Sequence, residues 1–376
     1  MRRKTLRSLF HLTVLGGIVL LLFLNRPTSS IKTFPWTHIR YKSSSPIPPS
    51  GGKCPGLSKT TKPALVVSRV TADGDPSWLD PLSKSYHLCI YTVDADADTP
   101  DPTAQSLQVP ANRGHEAMAY LTFLIDNYDT IPASGAVFIH GSRFAWHNDH
   151  PDYDNAALLA SLDVPAALEQ TGYHNLRCDW SLSTCSASAA PQGSLENRVQ
   201  AVLEPWSARV ASDTALPGAL GVLFGGEERE GYAAAKLGRN DAVRAQCCAQ
   251  FVVARENIWR HSREEYVALR HWLLDGMGGG PRRRGAAPAD DRVAGRILSY
   301  IWHILFLDPE DVGTGDGVDL GRLNERACPR ADECYCRLYG RCNLRCTSPG
   351  SCRGEYALPK DLKLPADWGE THSHPT

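Results

Sequence analysis

The sequence predicts an α/β fold, with a mostly parallel sheet covered by helices on both faces. Two observations carry this. Short runs of continuous apolar, β-branched residues recur along the chain, and they alternate with longer stretches of helical apolar period. Strands buried on both faces read as unbroken apolar runs, which is the mark of a parallel sheet between helix layers. A composition of 42% hydrophobic and 22% charged residues suits such a globular domain.

Five strands are expected, over residues 64–70, 86–93, 136–140, 220–224 and 250–254. Helices are expected at 115–128, where Met118, Leu121, Leu124 and Ile125 share one face behind Asn112 as N-cap, and at 155–162. Two longer amphipathic helices follow, at 256–274 and at 292–307, the second entered through Asp290 and Asp291. Ligands of such sheets bind beyond the carboxyl ends of the strands. The loops of interest are therefore 94–101, the approach to Asn112, 140–154, 225–230 and 255–256.

The chain start sets the expected topology. Arg2, Arg3, Lys4 and Arg7 precede an apolar run over residues 9–24. Sixteen helical residues reach about 24 Å, short against a hydrocarbon core of about 30 Å. The run ends in Asn25-Arg26-Pro27 without a small-residue cleavage site, which favours an uncleaved signal-anchor over a signal peptide. Basic residues stay cytoplasmic, so the chain reads as a single-pass type II protein of the Golgi or ER lumen, with secretion as the alternative. The expected divisions are a cytoplasmic end and anchor (1–26), a flexible Ser/Pro-rich stalk (27–62), the α/β domain (63–310) and a disulfide-rich tail (311–376). With 40 basic against 41 acidic side chains, nucleic acid is not an expected partner.

Several constellations could carry chemistry. In residues 109–116, Asn112, Arg113 and Glu116 lead into a helix start, where free amides and a guanidinium can hold a phosphate or carboxylate; plain capping by Asn112 is the structural alternative. The loop 140–150 gathers His140, Arg143, Trp146, His147, Asp149 and His150. His140, His147 and Asp149 there could bind a metal or exchange protons, although no zinc spacing is matched. Asp94, Asp96 and Asp98, and likewise Asp152 with Asp154, could hold Mg²⁺ or Mn²⁺ but equally form solvated turns. Glu256 after the last strand is a candidate general base or a helix-dipole partner, and His303 is expected in the core. Arg282 to Arg284 form a basic loop that is either solvated or a processing site.

Twelve cysteines point to an oxidising compartment. Cys328, Cys334, Cys336, Cys342, Cys346 and Cys352 are expected to form about three disulfides stapling a coreless tail, since Cys-x2-Cys pairs for zinc are absent. Cys178 and Cys185 are expected to pair. Adjacent Cys247 and Cys248 are not expected to bond each other, and one of them could reach Cys89 or Cys54.

Several stretches resemble a fungal family known only as domain of unknown function 3431. They are residues 112–116 running into 120–128, residues 137–141 with Trp146 and His147, residues 172–180, residues 247–251, and residues 300–304. The resemblance covers roughly residues 62–310 and extends to the Cys-rich tail with residues 356–359, and it implies no reaction. A weaker similarity links the 109–116 segment to nucleotide-sugar glycosyltransferases, which implies a glycosyltransferase-A-like or Rossmann-like domain. On that similarity Asn112, Arg113, Glu116, Arg143, Trp146, Arg177 and Asp179 bind ligand, while Glu256, His147 and His140 carry catalysis. Mn²⁺ or Mg²⁺ is then a candidate cofactor and a nucleotide sugar the candidate substrate. Two other classes stand beside this one: a non-catalytic carbohydrate or small-ligand module that stacks sugars on Trp146 and Trp180, and a His-ligated metalloenzyme.

Overall fold

The computed structural model describes residues 3–24, 32–43, 46, 51–94, 107–277, 283–314 and 317–352. Its central sheet has five strands: β1 (Ala64–Arg69), β2 (His87–Thr92), β3 (Ala136–His140), β4 (Tyr173–Asn175) and β5 (Phe251–Val253). Their order across the sheet is β2-β1-β3-β5-β4. β1 lies parallel to both β2 and β3, whereas β5 runs antiparallel to β3 and β4. Four strands thus point one way and β5 alone points back.

The unbroken apolar runs in β1 and β3 follow from burial on both faces. Val66 and Phe138 join Tyr120, Phe123 and Phe251 in the larger core. Their neighbours Leu65, Val67, Val137 and Ile139 face a second core with Leu79, Tyr86 and Tyr335. α2 (Glu116–Asp126) is buried from Ala117 through Ile125, which explains its lack of a polar face. His115, not Asn112, occupies its N-cap position, and Asn112 is exposed.

One expected strand is a helix. Residues 220–224 belong to α3 (Ala208–Gly225), which buries Leu216, Leu220, Leu223 and Phe224 at i, i+4, i+7 and i+8. A five-residue apolar run has no period of its own, so length alone could have told strand from helix. The three-residue β4 went unread for the converse reason. The expected helix at 256–274 breaks after Ile258, and α4 (Arg263–Leu274) starts afresh at a capping box between Ser262 and Glu265. The expected helix at 292–307 is α5 (Asp291–Ser299), capped by Asp290, followed by a short turn of helix over Trp302–Phe306.

Residues 32–43, placed in the stalk by composition, strap the domain. Thr33–Phe34 pairs with Asp319 and Val318, and the buried Trp36 donates its indole N–H to the Ala235 carbonyl at 2.8 Å. At the other end, α6 (Ala331–Tyr339) sinks Cys334, Tyr335 and Leu338 into the second core, so the described part of the tail shares the core of the domain.

All twelve cysteines are paired, as suits an oxidising environment. Cys178 bonds Cys334 and Cys185 bonds Cys328, so the expected Cys178–Cys185 link is replaced by two that tie the tail to the domain. Cys336 pairs with Cys342, Cys346 with Cys352, and Cys54 with Cys89. Cys247 and Cys248 bond each other, against expectation, where the chain takes left-handed φ values of 85° at Cys248 and 45° at Ala249. Spacing along the chain does not say which Cβ atoms meet in space.

α1 (Arg3–Leu24) is a 22-residue helix whose apolar side chains, among them Leu12 and Phe23, are exposed. Among the described residues no helix is long and apolar enough to cross a membrane. In α1 the apolar part begins only after Arg7 and reaches about 24 Å.

Two buried histidines set an acid limit on the fold. Burial pushes His174 down to about 4 and His303 down to about 3. Each stays neutral in the folded state, while its unfolded counterpart takes a proton near pH 6.5. Stability contributed by these groups is complete above about pH 6.5 and falls as the pH drops toward 4 and 3. A His303→Leu variant is expected to lose less stability over that window, as read from denaturant midpoints at pH 7 and pH 4.5.

Candidate functional site

After β1 the chain forms β2 on one side, then returns to form β3 on the other. The carboxyl ends of β1 and β3 are therefore a topological switch point, where open α/β sheets place their ligands. A crevice of about 190 Å³ opens there. Arg69 and Asp73 line it from the exit of β1, His140, Gly141, Ser142, Trp146 and His147 from the exit of β3, and Asn112, His115 and Glu116 from the start of α2.

Local contacts explain why these residues converge. A Cβ on Gly141 would lie 2.2 Å from the Arg69 Cβ and 2.7 Å from its Cα, so only glycine lets the two strand exits touch. Asp73 accepts from the Val70 amide at 2.9 Å and from the Ser142 hydroxyl, tying one exit to the other. The backbone N–H of His140 donates to Gln250 Oε1 at 3.2 Å, and its Nε2 sits 2.8 Å from the Cys248 carbonyl. A carbonyl can only accept, so the neutral ring carries its proton on Nε2 and turns Nδ1 into an acceptor. The rings of His140 and His147 lie 5.0 Å apart and those of His147 and Trp146 4.1 Å apart. Together they form a ladder that ends at the half-exposed Trp146 face. His115 holds φ 53° and ψ −129°, a costly conformation for a non-glycine residue.

Other expected site residues lie elsewhere. Arg113 is buried and donates to the Ala289 and Pro288 carbonyls and to Asp291, so its guanidinium is consumed in fixing α5 against the start of α2. Arg143 turns outward to Asp154 at 3.0 Å. Asp149 is fully buried away from the crevice and accepts from the amides of Cys178 and Asp179 and from the Tyr335 hydroxyl, with Arg177 beside it. Arg177 and Asp179 belong to this buried cluster, and Arg177 also donates to the Trp146 carbonyl at 2.8 Å. Trp180 lies with its ring over Gly350 and donates to the Pro329 carbonyl, which makes it packing rather than a platform.

Glu256 is at the wrong end of the sheet. Because β5 is reversed, Val253 pairs with Ala136 at the start of β3, and Glu256 follows from there, paired with Arg255 at 2.8 Å. Arg69 and Asp73 were missed, although the rule that singled out the other strand exits applies to β1 as well.

Among the described residues one cluster has metal-ligand spacing, Cys54, His87 and Cys89, and its two sulfurs are spent on a disulfide. Asp94 accepts from the Thr71 amide and hydroxyl, while Asp96, Asp98 and Arg282 lie outside the described residues. A larger cavity, about 450 Å³, is lined by Trp36, Thr37 and His38 of the N-terminal strap and by segments that follow β5. Arg260 there is paired with Asp308, and His261 with Glu265 and the Leu305 carbonyl. The smaller crevice is therefore the better candidate, since it combines the switch point with convergent polar groups.

A family model described as protein of unknown function (DUF3431) matches residues 65–337, from β1 through most of α6. The chain belongs to the DUF3431 family. No curated protein and no solved structure matches it. The DUF3431 span takes in every residue named at the crevice, the buried Asp149 cluster and both disulfides that tie the tail to the domain.

The contact at Gly141 yields a test. Gly141→Ala must push β1 from β3 at the mouth of the crevice, because the obstacle is Arg69 backbone and Cβ rather than a mobile side-chain end. A loss of about 1–3 kcal/mol is expected from urea midpoints, the usual range for overpacking.

Proposed function

We propose that the crevice between β1 and β3 binds the sugar of a nucleotide sugar and that the domain is a glycosyltransferase-like enzyme. The observation that carries this reading is convergence: Asn112, Glu116, His140, Trp146 and His147 come from separate segments to one switch-point cavity. A volume of about 190 Å³ suits one sugar ring better than a whole nucleotide, which would extend along the open side. Trp146 offers the apolar ring face on which sugars stack. Glu116 or His140 Nδ1 would take the proton of an acceptor hydroxyl as it attacks the anomeric carbon, and Arg69 would face the departing diphosphate. With Glu256 at the far end of the sheet, the base must come from this set.

The same reading places the domain in the lumen of the secretory pathway. Six disulfides support the oxidising compartment. The exposed apolar side chains of α1, preceded by basic residues, support attachment to the membrane there, with local bilayer thinning or interfacial seating accommodating the short apolar length. Secretion after removal of α1 is the alternative.

Thermal melting of the oxidised protein against nucleotide sugars, nucleoside diphosphates and free sugars, each with Mn²⁺ and with EDTA, tests the function. A ligand at a hundred times its Kd adds about 2.7 kcal/mol. A raised midpoint with one nucleotide sugar, lost in Trp146→Ala and His147→Ala, is the expected result. A shift with free sugars alone would favour a binding module, and no shift with any of them would overturn both readings. Asp149→Ala serves as the structural control: it should lower stability by about 3–5 kcal/mol, because it strands the buried Arg177.

A further inference from the structure

The helix Leu195–Leu203 presents its apolar stripe to solvent. Leu195, Val199, Val202 and Leu203 fall at i, i+4, i+7 and i+8, and Trp206 is exposed in the turn just past the helix end. Val202, Leu203 and Trp206 are 78%, 67% and 70% exposed, while Asn197 on the opposite side is buried and donates to the Pro191 carbonyl. The usual amphipathic arrangement is thus inverted: Asn197 packs inward, and among the described residues the apolar stripe has no covering partner.

Where the chain comes from says what covers it. Lys32 is fixed by an ion pair to Asp241 at 2.8 Å. A Cβ on Gly238 would lie 2.7 Å from that Asp241 carboxylate and 3.1 Å from Lys32 Nζ, and one on Gly193 would lie 2.6 Å from the Gly238 carbonyl. Lys32 is therefore held one layer from Gly193, two residues before Leu195. Seven residues, 25–31, separate it from the end of α1, a reach of at most about 25 Å. Any surface that takes up α1 therefore lies within that reach of Lys32, which itself sits close to the start of the stripe.

We propose that the Leu195–Trp206 stripe rests on the lipid bilayer to which α1 attaches. The inference rests on the membrane attachment proposed above for α1. A terminal tryptophan after an apolar helix face is the composition that seats in the headgroup boundary. Exposed Glu196, Arg198 and Arg209 flank the stripe with mixed charge, so a zwitterionic surface suffices. A second copy fits less well, since one face of a nine-residue helix falls short of the roughly 800 Å² per partner that stable dimers bury.

The test uses the full chain with phosphatidylcholine vesicles carrying brominated acyl chains, which quench nearby tryptophan fluorescence. α1 contains no tryptophan, so quenching cannot arise from the anchor helix itself. Expected is a quenched component that disappears in Trp206→Phe, a substitution that keeps the stripe apolar. The double variant Val202→Glu with Leu203→Glu, at exposed positions where folding is unaffected, should lose the same component and bind vesicles about tenfold or more weakly. Vesicle binding without Trp206-dependent quenching would overturn the stripe and leave α1 attachment standing. Absence of any vesicle binding would overturn both. A lipid-free dimer broken by the double variant would assign the stripe to a second copy instead.

Discussion

The fold turns on one buried carboxylate. Asp149 sits in the loop after β3, yet its oxygens take the amides of Cys178 and Asp179 after β4 and the hydroxyl of Tyr335 on α6. Three segments far apart in sequence are thereby pinned to one point beneath the crevice. A buried charge is costly unless its lone pairs are filled and a counter-charge is present, and here both conditions hold, with Arg177 as the cation. Arg177 in turn holds the Trp146 carbonyl, so the ring at the crevice mouth is positioned from below by the same cluster. The Cys178–Cys334 disulfide closes the circuit covalently next to Tyr335.

The reversed strand is the second constraint, and it decides which groups meet. Had β5 run parallel, its exit would have carried Arg255 and Glu256 to the crevice. Running back, it delivers its entry instead: Gln250 and the carbonyl of Cys248 reach His140 and fix both its backbone and its ring. The residues that matter near a reversed strand are those before it. The adjacent cysteines, the left-handed backbone that follows them and the orientation of His140 are thus one feature rather than three.

Much of this was legible in the sequence. β1, β2, β3 and β5 stand out as apolar runs, and the strand-exit rule singles out His140, Trp146, His147 and the approach to Asn112, whose residues line one crevice. What failed did so for definite reasons. Asp149 and Arg177 looked like site residues because charge in a strand-exit loop usually faces solvent, and no local pattern reveals that a carboxylate will find its donors in a helix nearly two hundred residues later. Arg113 failed likewise, its partners lying on the approach to α5. Glu256 failed because the direction of a strand is a property of the sheet, absent from the strand's own residues. Helix α3 was misread because an apolar end without its polar half has no measurable period.

Backbone strain agrees with the choice of site. Among the described residues, five non-glycine positions have left-handed φ, and four of them, His115, Tyr153, Cys248 and Ala249, lie in segments that border the crevice or hold His140. Each such residue costs on the order of 1–3 kcal/mol and persists only where the surroundings over-determine it. Here they do: Tyr153 accepts from Ala145 and Asn148 through its carbonyl, Cys248 is bonded to Cys247, and the amide next to His115 is bound by Asp291. Strain gathers in segments around one polar cavity, whereas the larger cavity near Arg260 borders none of these four residues, and that asymmetry favours the crevice as the candidate site.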